Sequence, residues 1–136
     1  MARRALIVVF ALLSGCLTAV GMHKKASEDL TKSAKLFNDY VRWSNADKAS
    51  EFVDKDTRAK FVDWRIDLDK ALEITDVRVG ATDFGKESQD ATVIVTWTFF
   101  RKNEGTEQTK VGTEHWYRKD QKWFVKNEPD EMPSKL

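Results

Sequence analysis

The chain holds two histidines, His23 and His115, and His115 is the one placed to act as a general acid or base inside a folded body. Imidazole is the side chain that changes charge near neutral pH. His115 stands in Thr113-Glu114-His115-Trp116-Tyr117. On an extended segment Thr113 and Tyr117 share its face, and Glu114 and Trp116 take the other. A base there needs an orienting carboxylate, and Asp63, Asp67 and Asp69 supply the densest choice, with Asp54 and Asp56 nearby. Asp63 and Asp67 are four apart, so a helix brings them close. Yet Lys55, Arg58, Lys60, Arg65 and Lys70 are interleaved with these acids. That is the pattern of a solvated helix laced with ion pairs. It lacks the turn glycine of a calcium loop. Asp83-Phe84-Gly85 spells a kinase tripeptide, but the chain is too short for a kinase and lacks the other signatures, so the reading is a turn. Phosphate-binding glycine loops, zinc spacings and serine-hydrolase elbows are missing from the sequence. No metal and no cofactor is expected.

Five tryptophans, Trp43, Trp64, Trp97, Trp116 and Trp123, are the most unusual feature. Indoles can line a pocket for an apolar ligand and orient it through their N–H groups, or they can fill a core. The candidate pocket is Tyr40, Trp43, Trp64, Trp97, Phe99 and His115. An exposed tryptophan on a sheet face would instead serve dimerisation or partner docking.

The N-terminus reads in three parts. Arg3 and Arg4 give a positive start, Ala5 to Leu13 is an uninterrupted apolar run, and Leu13-Ser14-Gly15-Cys16 follows. Charge, apolar core and small residues before a cleavage point mark an exported protein. Ser14, Gly15, Thr18 and Gly21 break the stretch short of the roughly 20 apolar residues a span needs. The four residues ending at Cys16 resemble the lipobox of bacterial lipoproteins. The resemblance implies cleavage of residues 1–15 and lipid on the Cys16 thiol. Cys16 is the sole cysteine, so it has no disulfide partner within the chain. Leu17, where retained lipoproteins tend to carry Asp, implies the periplasmic face of the outer membrane in a Gram-negative host. In a Gram-positive host the same signal implies the outer face of the plasma membrane. Residues 16–27 read as the lipidated cysteine and a short tether, of which Leu17 to Ser27 spans roughly 35 Å at full extension.

The 136 residues are one domain's worth. Charged residues make up 33% and aromatics 11%, which excludes a disordered chain. Loss of Arg3 and Arg4 takes the formal charge from +1 to −1. Both signs are interleaved along the chain, so nucleic acid is not an expected partner.

The elements that must position these residues follow from periodicity. Leu30, Ala34, Phe37 and Val41 predict a helix from about Glu28, with Ser27 as its N-cap. Ser44-Asn45-Ala46-Asp47 predicts a capping box that opens a short second helix through Phe52 and Val53. Asp56 caps a third, with Phe61, Trp64 and Leu68 on one face. Strands are predicted over 71–79, with a bulge before Val77, and over 91–100, 107–118 and 123–126. Val93, Val95, Trp97 and Phe99 share one face of the second strand. Residues 83–90 read as a polar loop and residues 128–136 as a loose tail. Helices followed by a meander make an α+β domain over residues 28–127: N-terminal helices on a curved antiparallel sheet of about four strands.

This layout resembles the NTF2-like, cone-shaped superfamily, with a cystatin-like domain as the alternative. The resemblance rests on the long aromatic-faced helix, two shorter helices, long bent strands, and the close Trp116-Tyr117, turn, Lys122-Trp123-Phe124-Val125. That family hosts enzymes, ligand-binding modules and scaffolds, so it implies a fold and not an activity. Its enzymes often keep a His with an Asp in the cone mouth, and here only His115 could serve. The leading expectation is a membrane-anchored envelope lipoprotein that is not an enzyme and binds a protein partner or itself. The second is a module for a small hydrophobic ligand in the cone. The third is an enzyme using His115.

Overall fold

The structure, a computed structural model, describes residues 16–126, and the side chains of 21–126. The signal segment 1–15 and the tail 128–136 lie outside the described residues. The element order is α1 (Cys16–Arg42), α2 (Ala46–Ser50), α3 (Arg58–Ala71), β1 (Leu72–Phe84), β2 (Asp90–Arg101), β3 (Glu107–Lys119) and β4 (Lys122–Lys126). The strands form one antiparallel meander in the order β1-β2-β3-β4. No described helix is long and apolar enough to cross a membrane.

Helix α1 carries the apolar stripe that the periodicity predicts, and Ala26, Leu30, Ala34, Phe37 and Val41 are all buried. Its start differs from the expectation. Ser27 is not a cap; it lies inside the helix, and its carbonyl accepts from Thr31 Oγ1 at 3.0 Å. Good helix formers precede it, and Ala26 extends the buried stripe by one more turn. The segment 17–27 is therefore helical, and its reach falls from roughly 35 Å to about 16 Å.

The far end of α1 is fastened in detail. Ser44 takes a left-handed conformation (φ 57°). The Asn45 amide donates to the Tyr40 carbonyl at 2.9 Å and the Ser44 amide to that of Val41 at 3.3 Å, a Schellman closure. Asn45, not Ser44, then caps α2, its side chain accepting from the Lys48 amide at 3.2 Å. The buried Arg65 of α3 donates to the Val41 carbonyl (2.7 Å), Ser44 Oγ (3.0 Å) and Asp69 Oδ1 (2.6 Å), tying the two helices together. Helix α2 ends at Ser50, before Phe52 and Val53, and α3 follows Thr57 rather than an Asp56 cap.

Strand β1 runs on to Phe84, past the expected end, and the loop shrinks accordingly. The bulge expected before Val77 falls between Ile74 and Asp76, and a second irregularity lies between Val79 and Thr82. Strand β2 alternates as predicted, with Val93, Val95, Trp97 and Phe99 buried against the helices. At the other margin Val53 pairs with Val125 in a parallel bridge, and the Val125 amide donates to the Phe52 carbonyl at 2.8 Å. Asp120 and Gln121 (φ 50° and 63°) form the tight turn between β3 and β4.

Candidate functional site

The sheet has two unlike faces. The inner face carries Trp97, Phe99, Trp116 and Trp123, all buried. Phe37 of α1 meets Trp116 edge-on at 5.7 Å and Phe61 of α3 at 5.8 Å. Trp97 lies over Gly112 of β3, where an added Cβ would come within 2.6 Å of its ring. Glycine is what leaves the indole its place.

One acid is buried among these rings. Glu114 of β3 accepts from Asn38 Nδ2 and from Trp116 Nε1, each at 3.0 Å. Asn38 Oδ1 in turn accepts from Trp97 Nε1 at 3.2 Å, and its Nδ2 also reaches the Ala34 carbonyl. Burial pushes the Glu114 carboxyl up to about 7, against the two donors, which pull it down. The group can thus hold or release a proton near neutral pH. It lines none of the depressions described below.

The expected pocket residues are not gathered into one cavity. Trp97 and Phe99 fill the core. Tyr40 packs at 6.3 Å from Phe52, and Trp64 at 5.5 Å from Phe61, both half-buried against the core. Trp43 is 71% exposed at the end of α1, with the Arg42 guanidinium 4.9 Å from its ring. His115 points to the opposite face of the sheet, in the row with Thr92 and Lys126. It lines a depression of about 260 Å³ with Asp83, Asp90 and Lys126, away from Asp63, Asp67 and Asp69 of α3. Asp67 is paired with Lys70 (2.8 Å) and Asp69 with Arg65 (2.6 Å), the ion pairing that the interleaved charges predicted. Among the described residues no group of three metal-type ligands converges.

Two features escaped the sequence reading. His23, expected in a tether, lies on α1 and stands 2.7 Å from Ser88 Oγ in the β1–β2 turn, with its ring edge-on to Phe84. The pair is exposed to water, so nothing there protects a reactive hydroxyl. A second depression of about 400 Å³ opens where α1 ends beside β1, lined by Arg42, Trp43, Asp69, Leu72, Ile74 and Lys102 among others. The signal for Glu114 was present in the sequence: it is in phase with Trp116, and Asn38 interrupts the apolar stripe of α1.

The outer face carries Thr92, Ile94, Thr96 and Thr98 from β2 and Thr109, Val111 and Thr113 from β3 in facing rows. Ile94 is 44% exposed and Val111 62%, and both helices that touch the sheet pack on the other side. Towards β4, Tyr117 stacks on Phe124 and donates to the Asp54 carboxylate. That bond holds Asp54 below the usual carboxylate range, and burial, helped by the same bond, raises the Tyr117 hydroxyl to about 12.

No protein-family model and no curated protein matches the chain in sequence. Solved structures match it in shape. An NTF2-like protein with a cystatin-like fold from Novosphingobium aromaticivorans has a TM-score of 0.57 at 16% identity, over 82% of this chain and 86% of that one. A protein of unknown function from Mycobacterium tuberculosis reaches 0.64 at 7% identity, over 82% and 73%. A putative polyketide cyclase from Xanthomonas campestris pv. campestris reaches 0.56 at 12% identity, over 78% and 95%. At these identities the likeness is one of fold. The chain has an NTF2-like α+β fold, helices on one side of a curved four-stranded antiparallel sheet.

Proposed function

We propose that the chain is a non-enzymatic interaction domain, held on a membrane by lipid at Cys16 and working through the outer face of its sheet. The contrast between the two sheet faces carries this reading. Aromatic rings and helices close the inner face over Glu114, which leaves a substrate no approach to the buried acid. The outer face keeps Ile94 and Val111 in water, an arrangement that favours a partner. The apolar run before Leu13-Ser14-Gly15-Cys16 supports the anchor. The short helical lead into the domain would hold that face near the bilayer, in the outer membrane of a Gram-negative host.

A photo-reactive residue at position 111 tests the surface in the native host. Cross-linked protein is expected from position 111 and not from position 35 on the helix; cross-links from neither position overturn the reading. Metabolic labelling with a fatty-acid analogue tests the anchor. Label that is lost in Cys16→Ser is expected, and an unlabelled parent chain removes the lipid.

A second reading, a module for a small apolar or aromatic ligand, is favoured by the depression beside Trp43. Its volume of about 400 Å³ exceeds the roughly 300 Å³ at which ligand pockets begin. Native mass spectrometry of residues 17–136 decides it: a reproducible added mass keeps the reading, and bare protein ends it.

A further inference from the structure

We propose that the solvent side of α1 rests on the anionic phospholipid surface in which the chain is anchored, so that the helix lies along the membrane. The proposal rests on the reading of Cys16 as the lipid-bearing residue and adds the orientation of the anchored domain.

Helix α1 has two sides. Ala26, Leu30, Ala34, Phe37 and Val41 bury one of them against the sheet. Lys24, Lys25, Lys32 and Lys35 fall within about a third of the helix circumference on the opposite side, and all four are exposed. Among the described residues none of the four is held in an ion pair. Glu28 lies among them and Asp29 beside them. Residues 22–36 thus hold four lysines against two acids, a formal +2. The rest of the chain from Cys16 on holds 17 basic and 20 acidic residues, a formal −3. An anionic surface therefore attracts this side of the helix and repels the remainder of the domain. A depression of about 520 Å³ opens on the same side, lined by Ser27, Glu28, Thr31, Lys32, Lys35 and Leu36. It gives headgroup phosphates room beside the two ammonium groups.

The anchor and the lysines share one helix, because α1 begins at Cys16. Lys24 is about 12 Å along the axis from Cys16, and Lys35 about 28 Å. A helix standing upright on the membrane would carry Lys32 and Lys35 well past the roughly 8 Å over which charge acts at physiological salt. Lying flat brings all four into range. Each lysine in range gains about fivefold in surface affinity, and Glu28 takes back part of the sum. The lipid makes the contact intramolecular, so a weak attraction is enough to set the orientation. In that pose α1 lies between the bilayer and the sheet, and Ile94 and Val111, on the sheet's other face, are turned to the aqueous side.

Cross-linking to lipid tests the pose. The chain from Cys16 on is coupled through its thiol to a maleimide lipid in phosphatidylcholine vesicles, with or without phosphatidylglycerol. It carries a photo-reactive residue at position 36 on α1 or at position 94 on the outer sheet face. With phosphatidylglycerol, lipid adduct at position 36 is expected to exceed that at position 94 at least about fivefold. The excess should vanish in phosphatidylcholine alone, in high salt, and in the variant Lys25→Glu with Lys32→Glu and Lys35→Glu. These lysines are exposed, and an unchanged circular-dichroism melt verifies folding of the variant. Equal adducts at the two positions, or an excess at position 36 that survives salt and the charge reversals, overturns the proposal. Coupling in vitro bypasses acylation by the host, so the two levels separate. An excess at position 36 with no fatty-acid label on Cys16 in the host removes the natural anchor and keeps the lipid-facing helix; a labelled Cys16 without the excess keeps the anchor and ends the pose.

Discussion

The two faces of this sheet are made by the same strands, residue by residue in alternation, yet they do opposite work. On β2, Trp97 is 2% exposed while Ile94, three residues away, is 44% exposed. The inner row is fixed by close packing and by a polar cluster that satisfies its own donors. The outer row is rich in threonine, with Ile94 and Val111 exposed among them. Stability is concentrated on one side of a layer a single residue thick, which leaves the other side free to change without unfolding the chain.

Truncation of the inner row is the strongest way to break this contrast. Trp97→Ala should cost about 3–5 kcal/mol in chemical denaturation, through the cavity left and the orphaned Asn38 carbonyl. A loss under about 1 kcal/mol would mean that the inner face is not the stabilising one.

Acid–base behaviour of the buried cluster is next in size. Glu114 prefers its neutral form in the folded chain, with its carboxyl raised to about 7. Its contribution is therefore complete at pH below about 4.5 and is lost as pH rises to about 7, a change of about 3 kcal/mol. Urea midpoints of the parent chain and of Glu114→Gln, compared at pH 5 and pH 8, should show this extra alkaline loss in the parent alone. Equal slopes would place the Glu114 titration elsewhere.

Gly112→Ala sharpens the comparison within β3, since the new methyl would press on the Trp97 ring. It should cost about 1–3 kcal/mol. Val111→Thr, one residue away on the other face, should change stability by less than about 0.5 kcal/mol. Parity between the two would show that the outer face is packed after all.

How far the sequence disclosed this arrangement depends on the residue. The alternation of β2 and the stripe of α1 were plain, because burial demands an apolar side chain at every second or at every third and fourth position. The start of α1 was not, because Ser27 is a good cap only where the chain before it leaves the helix. The places of the expected pocket residues were hard to read for a related reason. Tyr40, Trp43, Trp64, Trp97 and Phe99 are all large and aromatic, but type alone does not tell a core ring from an exposed one such as Trp43. Glu114 was legible in phase and invisible in role, since only the placement of Asn38 on the facing helix turns a strand glutamate into a buried one.

The margins of the sheet also have a consequence for how the chain behaves in a crowd. Strand β4 is shielded on its outer side by the Val53–Val125 bridge, and β1 breaks its register with β2 at two irregularities, between Ile74 and Asp76 and between Val79 and Thr82. A straight, open strand edge is the template on which chains add end to end into fibrils. With both edges of the described sheet interrupted in this way, growth by strand addition is disfavoured.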